Sequence, residues 1–118
     1  MKTYWIYILQ CEDGRYYTGY TSDLRRRFRQ HRNPKGGAKF TRSFKPTSLA
    51  GCWRLEGSRG TAMRVENWIK KQKRSVKIEL ITNPALLKAF LQGQMGPEFD
   101  LVFDDNCESV FSESKRQG

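Results

Sequence analysis

Two aromatic segments at the start of the chain constrain its fold more than any other feature of the sequence. Residues 4–9 are apolar or aromatic at every position, which is typical of a strand buried on both faces. Asp13-Gly14 is a tight-turn signal, and residues 15–20 return with tyrosines that favour a second strand. The chain is therefore predicted to begin with an antiparallel hairpin that is rich in phenol side chains.

The length of the hairpin loop decides whether Tyr7 and Tyr17 share a face of the sheet. A strict two-residue turn at Asp13-Gly14 pairs residues whose numbers sum to about 27, which places the two phenols on opposite faces. A three-residue or bulged loop shifts the sum to about 28 and places both phenols on one face. The sequence alone leaves both registers open.

One further strand and four helices are predicted after the hairpin. Ser22 or Asp23 can cap the first helix, and Asn33-Pro34 ends it before a basic loop rich in glycine. The predicted elements are a helix over 24–32, a strand over 48–56, and helices over 61–73, 75–81 and 84–93. This order predicts a small α/β (α+β) domain with a mainly antiparallel sheet.

The charge of the chain indicates a polyanionic partner. The formal net charge is +10 and the pI is about 9.9. Residues 1–78 contain 19 of the 22 basic residues and only 5 of the 12 acidic ones. Because neutralising phosphates releases bound counterions, a basic body of this kind favours nucleic acid as the partner. The alternative is a solvated basic surface, and we rank nucleic acid ahead of it.

The cysteines and the chain start indicate a reduced, cytoplasmic protein. Cys11, Cys52 and Cys107 are widely spaced and accompany a single histidine, so no zinc-binding pattern can be assembled. The apolar run at the start is short and ends at polar residues, unlike a signal peptide or a membrane span.

The chain is predicted to divide into a core, a helix and a tail. The core covers residues 1–82, a C-terminal helix covers 83–96, and an acidic, aromatic tail covers 97–118. Three roles remain open for the tail. It can fold over the basic body as a phosphate mimic, dock on a partner, or remain a disordered solubilising end.

The first helix carries the most distinctive pair of polar side chains. At 100° per residue Arg27 and His31 lie one turn apart, along one edge of the apolar stripe of Leu24 and Phe28. This places them at the lip of a cleft. The other arginines are predicted on the opposite edge (Arg25, Arg29, Arg32) or pointing away (Arg26). Alternatively, Arg27 is solvated and His31 caps the helix C-terminus.

Glu66 is the lone acid of a strongly basic helix. It adjoins the apolar positions Val65 and Ile69, so its carboxylate can face the sheet. A carboxylate turned inward on a basic face is a candidate single ligand for a hard divalent cation. The alternative is an intrahelical ion pair with Lys70, four residues later. The spacing does not separate these alternatives.

Two tripeptides connect these residues to a known family. Trp5-Ile6-Tyr7 and Tyr17-Thr18-Gly19 resemble the signature tripeptides of the GIY-YIG nuclease superfamily, and the following Asp23-Leu24-x-x-Arg27-x-x-x-His31 fits it as well. Residues 36–42 and 62–71 look like its small stand-alone bacterial members. The resemblance covers about residues 1–81. It implies a three-stranded antiparallel sheet flanked by helices, with both phenols on one face.

The resemblance also implies a role for each residue of the set. Tyr7 would be the general base, or would relay the proton of the attacking water with His31. Tyr17 would orient that water and the phosphate. Arg27 would bind the scissile phosphate and stabilise its developing charge. Glu66 would hold one Mg²⁺ or Mn²⁺ ion.

The function implied by the resemblance is a metal-dependent DNA endonuclease with little sequence specificity, acting in DNA repair or recombination. The second hypothesis is a nucleic-acid-binding module on the same fold that cuts slowly or not at all. A protein partner that selects the substrate is part of the first hypothesis, and no membrane is involved. The side chains predicted to bind nucleic acid are Arg25, Arg29, Lys39, Arg42, Lys70 and Lys71.

Two features of the chain depart from the family pattern. Trp5 replaces the first glycine and Thr18 replaces the central isoleucine of the tripeptides. Several active members also supply a polar residue after the glutamate helix, for which Asn67 and Asn83 are the candidates.

Overall fold

The computed structural model describes residues 2–32, 45–95 and 100–117. Within these residues the chain forms one four-stranded antiparallel sheet, in the order β2-β1-β3-β4, and five helices. The elements are β1 (Lys2–Cys11), β2 (Tyr16–Thr21), α1 (Leu24–Arg32), β3 (Pro46–Gly57), α2 (Arg59–Lys71), α3 (Arg74–Thr82), α4 (Leu86–Met95), β4 (Asp100–Phe103) and α5 (Cys107–Gln117).

The hairpin turns through a three-residue loop between Cys11 and Arg15. The amide of Cys11 donates to the carbonyl of Arg15, and the amide of Gly14 donates to the carbonyl of Cys11, each with an N···O distance of 2.8 Å. Gly14 has a φ of 85°, in the left-handed region where glycine is favoured. Leu9 therefore pairs with Tyr17, so Tyr7 and Tyr17 share a face. The three-residue loop is confirmed, although the pair numbers sum to 26 rather than 28.

The sheet is covered by helices on both faces. Tyr4, Ile6 and Ile8 of β1 face one way, and pack with side chains of α2, α3 and α4 in one buried cluster. Tyr7 and Leu9 face the other way, and pack with side chains of α1 and α5 in a second cluster. Strand β1 is central and buried on both faces, and this explains why its sequence is almost continuously apolar.

The sheet has four strands, so the expectation of three is wrong. The additional strand, β4, comes from the segment predicted to be a tail, and it pairs antiparallel with β3. Its four residues are too few to show an alternating pattern, and two of its neighbours in sequence are acidic. Leu101 is nonetheless buried in the first cluster, opposite Leu55. Pairing with β4 covers an edge of β3 that would otherwise expose unpaired backbone groups.

Helix α5 closes the second cluster. Cys107 and Phe111 are buried there, and a disulfide joins Cys107 to Cys52 on β3, with Cα atoms 6.3 Å apart. This pairing differs from the expectation that the cysteines are reduced, whereas Cys11 is a free, buried thiol. Residues 100–113 are thus part of the packed fold. The proposed division at residues 82 and 96 stays a prediction.

The structure holds no helix, among the residues it describes, that is long and apolar enough to cross a bilayer.

A prediction follows for Phe111, whose ring is buried on α5. Phe111→Ala should lower the free energy of unfolding by about 3–5 kcal/mol, because it opens a cavity between α5 and α1. Urea denaturation at neutral pH measures this. Phe103→Ala is the matched control, since Phe103 is half exposed on β4 and should cost less than about 1 kcal/mol. Equal losses for the two variants would mean that α5 does not pack on the core.

Candidate active site

A cleft of about 500 Å³ opens along the free edge of strand β2. Helix α1 lies on one face of the sheet at this edge and helix α2 lies on the other. Side chains from the two faces therefore meet around β2. The cleft is lined by Tyr17 from the strand, Arg27 and Gln30 from α1, and Glu66 from α2.

Tyr7 and His31 form a buried hydrogen-bonded pair behind this cleft. The Tyr7 Oη and His31 Nε2 atoms are 2.7 Å apart, and the two residues are 0 and 2% exposed. The ring of Phe28 packs edge-on against Tyr7, and the ring of Tyr17 lies 5.1 Å from that of His31. His31 thus faces inward to the phenols, as the cleft interpretation predicts, and does not cap the helix end in solvent.

Burial keeps both members of this pair neutral. Burial, with the positive charge of Arg27 as a smaller cause, lowers the pKa of His31 to about 3. Burial raises the pKa of Tyr7 above its ordinary range, although the Arg27 charge acts in the opposite direction. Desolvation of the Tyr7 phenol therefore outweighs the nearby cation. At neutral pH a hydrogen bond joins two neutral groups, and in the Nδ1–H tautomer of His31 the Tyr7 hydroxyl donates to Nε2.

Arg27 connects the buried pair to the cleft. Its Nε donates to Tyr7 Oη at a distance of 3.3 Å, and its Nη1 donates to Gln30 Oε1 at a distance of 3.1 Å. Burial lowers the pKa of Arg27, but its interactions with Tyr7 and Tyr17, including a hydrogen bond to each phenol, raise it overall. The guanidinium is therefore charged and held in place before any ligand enters.

Gly19 is required by the position of Tyr7. It pairs with Tyr7 across the β1–β2 ladder and lines the cleft. A Cβ at this position would lie 2.6 Å from Tyr7 Oη and 2.7 Å from its Cζ, well inside contact distance. Only a residue without a side chain lets the phenol reach its place, and this accounts for the glycine of the second tripeptide.

Glu66 lines the cleft and also makes the predicted ion pair. Its side chain is only 14% exposed, and its Oε1 lies 3.3 Å from the Nζ of Lys70. Glu66 therefore both faces the cleft and pairs with Lys70, the two arrangements that the sequence left open. No group of three or more His, Cys, Asp or Glu side chains converges among the described residues. A hard cation would fit here with one protein carboxylate, taking its other oxygen ligands from water and phosphate.

The residues predicted to bind nucleic acid are dispersed. Lys70 forms an ion pair with Glu66, which lines the cleft, but Lys70 itself is not a lining residue. Arg25 forms an ion pair with Glu113 of α5 and does not line the cleft either. Arg29 and Lys71 are exposed on the outer sides of their helices. Lys39 and Arg42 lie outside the described residues.

Three other cations line the cleft instead, and none was selected from the sequence. They are Lys2, Arg26 and Arg59. Arg26 was expected to point away from the cleft, but the cleft extends around the β2 edge to the outer side of α1. Arg59 Nε donates to the Tyr20 hydroxyl over 3.1 Å. Lys2 begins the same strand as the first tripeptide, whereas Arg59 is distant in sequence from both tripeptides. The pairing of Lys2 with Gly57 across β1 and β3 brings the start of α2 near the cleft.

The polar residue sought after the glutamate helix is not in the cleft. Asn67 is exposed and lines a separate shallow depression on α2, and Asn83 is exposed at the end of α3. Gln30, on the site-facing side of α1, is the uncharged amide that contacts Arg27. The spacing of Arg27 and Gln30, one helical turn apart, could have identified it.

Comparison with known proteins identifies the family. The model of the GIY-YIG catalytic domain matches residues 3–79, which is more than half of the chain. The chain belongs to the GIY-YIG nuclease family. The matched residues include both phenols, Arg27, His31 and Glu66.

Relatives of this GIY-YIG chain include small proteins named UPF0213. The chain is 42% identical over 79 residues to UPF0213 protein BH0048 of Halalkalibacterium halodurans, covering 67% of this chain and 82% of that protein. It is 38% identical over 93 residues to a UPF0213 protein of Lactococcus lactis, covering 78% and 93%. A solution NMR structure of UPF0213 protein BH0048 from Bacillus halodurans has a TM-score of 0.45 and 38% identity, covering 75% of this chain and 96% of that one.

A prediction follows for Gly19. Gly19→Ala should lower the free energy of unfolding by about 1–3 kcal/mol, because the new methyl overlaps the Tyr7 hydroxyl and must displace it. Urea denaturation measures the loss. Gly93→Ala is the control: nothing lies within 4 Å of a Cβ there, and in a helix interior the change should stabilise by about 0.5–1 kcal/mol. If Gly19→Ala is as stable as the parent, the close approach of Tyr7 is not real.

A second prediction concerns the dependence of stability on pH. The pKa of His31 is about 3 when folded, against 6.5 for an ordinary histidine. Between these values the unfolded chain binds a proton that the folded chain does not, so acid favours unfolding. The free energy of unfolding should fall by about 1.4 kcal/mol per pH unit below about pH 6 from this group. Urea denaturation of the parent and of His31→Gln at pH 7, 6 and 5 isolates the contribution of His31, because the carboxylates that titrate in this range are the same in both proteins. Parallel curves would contradict the prediction.

Proposed function

We propose that this protein is a metal-dependent nuclease that hydrolyses phosphodiester bonds, with DNA as its substrate and little sequence specificity. The observation that carries the proposal is the arrangement of Arg27, Tyr7 and His31 next to a cleft that Glu66 also lines. A fixed cation, a proton-accepting pair and a carboxylate are the groups that phosphodiester hydrolysis requires.

Arg27 binds the scissile phosphate. The contacts with Tyr7, Tyr17 and Gln30 hold the guanidinium in place, so little orientation is lost when the phosphate arrives. A planar guanidinium can donate two parallel hydrogen bonds to phosphate oxygens. As water attacks, negative charge builds on those oxygens, and the same donors stabilise it.

Tyr7 and His31 remove the proton of the attacking water as a relay. The water proton passes to Tyr7 Oη while the phenolic proton passes over 2.7 Å to His31 Nε2. The resulting hydroxide forms the new P–O bond, the bond from phosphorus to the 3′ oxygen breaks, and the departing 3′ oxygen takes a proton from solvent water. Tyr17 lies between the cleft and His31 and orients the water. A bound phosphate offsets the charge of Arg27, which makes protonation of His31 easier.

Glu66 is the residue that would hold one Mg²⁺ or Mn²⁺ ion. When bound, such an ion would polarise a phosphate oxygen and help to stabilise the departing 3′ oxygen. The carboxylate is largely shielded from solvent and shared with Lys70, whose ammonium would shift as the cation takes its place. Oxygen ligands supplied by the phosphate make binding of the cation depend on the substrate.

The surroundings of the site favour phosphate recognition over base reading. The additional cations at the cleft, Lys2, Arg26 and Arg59, are suited to the nucleic-acid backbone. We place the activity in DNA repair or recombination, with a protein partner that selects the substrate.

The second candidate is a nucleic-acid-binding module that cuts slowly or not at all. Two observations favour it. Tyr7 is fully buried behind the cleft, and the Glu66 carboxylate is already paired with Lys70. Metal dependence separates the candidates, because binding by backbone cations survives chelation and hydrolysis does not.

The experiment is cleavage of labelled single-strand, duplex, flap and junction DNA with Mg²⁺, Mn²⁺ or EDTA. Glu66→Gln should lower the rate about 100-fold or more and leave DNA affinity within a few-fold. Arg27→Ala should lower both the rate and the affinity. Glu79→Gln, an exposed carboxylate on α3, is the matched control and should cut like the parent. Tight, salt-sensitive binding without cleavage by any variant would establish the binding module instead.

A further inference from the structure

A second groove of about 420 Å³ adjoins the cleft on the face of the sheet covered by α1 and α5. Ser22 and Asp23 line both spaces, so the groove continues from the cleft past the start of α1. Its other lining side chains include Trp5, Arg54, Leu24 and Val110.

The strand register sets the distance between the two spaces. Thr21, Trp5 and Arg54 are direct partners across β2, β1 and β3, so their side chains form a row on one face. Thr21 lines the cleft, while Trp5 and Arg54 line the groove. From Thr21 on β2 to Arg54 on β3 the distance is two β-strand spacings, or about 10 Å. This is the length of about three nucleotide steps along one nucleic-acid strand. A strand held at the cleft thus reaches the groove without a large detour.

Trp5 gives the groove an aromatic wall of fixed orientation. Its Nε1 donates to Asp104 Oδ2 over 3.0 Å, and its indole remains partly exposed. The first tripeptide of the family begins with glycine where this chain has Trp5, so the wall comes from a departure from the pattern. A partly exposed, immobilised indole is a stacking surface for a nucleobase.

Polar groups surround the indole. The Arg54 guanidinium is half exposed, and its ion pair with Glu56 is long, at 3.7 Å. It can therefore donate to a phosphate. Asp104 and Asn106 also line the groove, and their side-chain oxygens can accept hydrogen bonds from the amino group of a base. Asp23 and Asp104 oppose a phosphate placed deep in the groove, so the base and not the phosphate belongs next to Trp5.

We propose that this groove binds one unpaired nucleobase of the strand whose phosphate lies in the cleft, by stacking on Trp5. The inference rests on the proposed function and narrows its substrate class. A base can enter the groove only after leaving a duplex, so the substrates are nucleic acids with an unpaired nucleotide close to the scissile phosphate. Single strands, flaps and overhangs meet this requirement, and a fully paired duplex does not.

The test measures binding of short single-stranded DNA by fluorescence anisotropy, using the full chain with Glu66→Gln to prevent cleavage. One abasic nucleotide is moved through the oligonucleotide, whose polarity is anchored by a hairpin at one end. At one position the abasic change should weaken binding about tenfold, the effect of one stacked base. Adding Trp5→Ala should abolish that difference, while Trp5→Phe should keep most of it. Phe103→Ala, an exposed ring on β4 outside the groove, should behave like the parent.

The outcomes separate this inference from the proposed function. Equal affinity for all abasic positions, or a difference that survives Trp5→Ala, overturns the base site while cleavage by the parent leaves the nuclease intact. Failure of the parent to bind or cut any nucleic acid overturns both. If Trp5→Ala does not fold, Trp5→Leu retains an apolar side chain but removes the stacking ring. Persistence of the difference in that variant would equally refute the base site.

Discussion

The buried hydrogen bond between Tyr7 and His31 is the constraint on which the rest of the site depends. Two polar groups in a core are tolerated only when each satisfies the other, because an unpaired one costs about 1–3 kcal/mol. The bond fixes how deeply α1 packs on the sheet. It also requires a hairpin register that places Gly19 next to the phenol, since any side chain there would occupy the same space.

Helix α5 supports this pair from behind, although it lies beyond the residues that match the family model. Phe111 packs edge-on against Phe28 at 5.4 Å, and Phe28 packs against Tyr7 in the same manner. Cys52, which the disulfide joins to Cys107, is the direct partner of Tyr7 across β1 and β3. The described part of the C-terminal segment, residues 100–113, therefore packs in the core and does not line the cleft. It completes the core against which the site is built.

The sequence predicted the parts of the site that depend on local periodicity and missed those that depend on the arrangement of strands. Arg27 and His31 are one helical turn apart, so their shared face was evident from the helix alone. Arg59 and Arg26 reach the cleft only because β2 is an edge strand, around which both layers of helices meet. Strand β4 was missed because four residues carry no readable period, and its stability comes from pairing with β3. Desolvation of Tyr7 likewise depends on packing that composition does not reveal.

In the proposed mechanism, the electrostatics of the site make its reactivity depend on the substrate. In the free protein Arg27 and burial together hold the pKa of His31 near 3, so the imidazole is a weak proton acceptor. A phosphate bound by Arg27 offsets the positive charge of Arg27, which is the smaller of these two causes of the low pKa. Because the guanidinium also donates to Tyr7, one side chain positions the relay, binds the anion and transmits the effect of binding to the base. In the proposed mechanism, water in the free cleft meets a neutral, poorly basic pair, and a bound phosphodiester raises the basicity of that pair by offsetting the charge of Arg27.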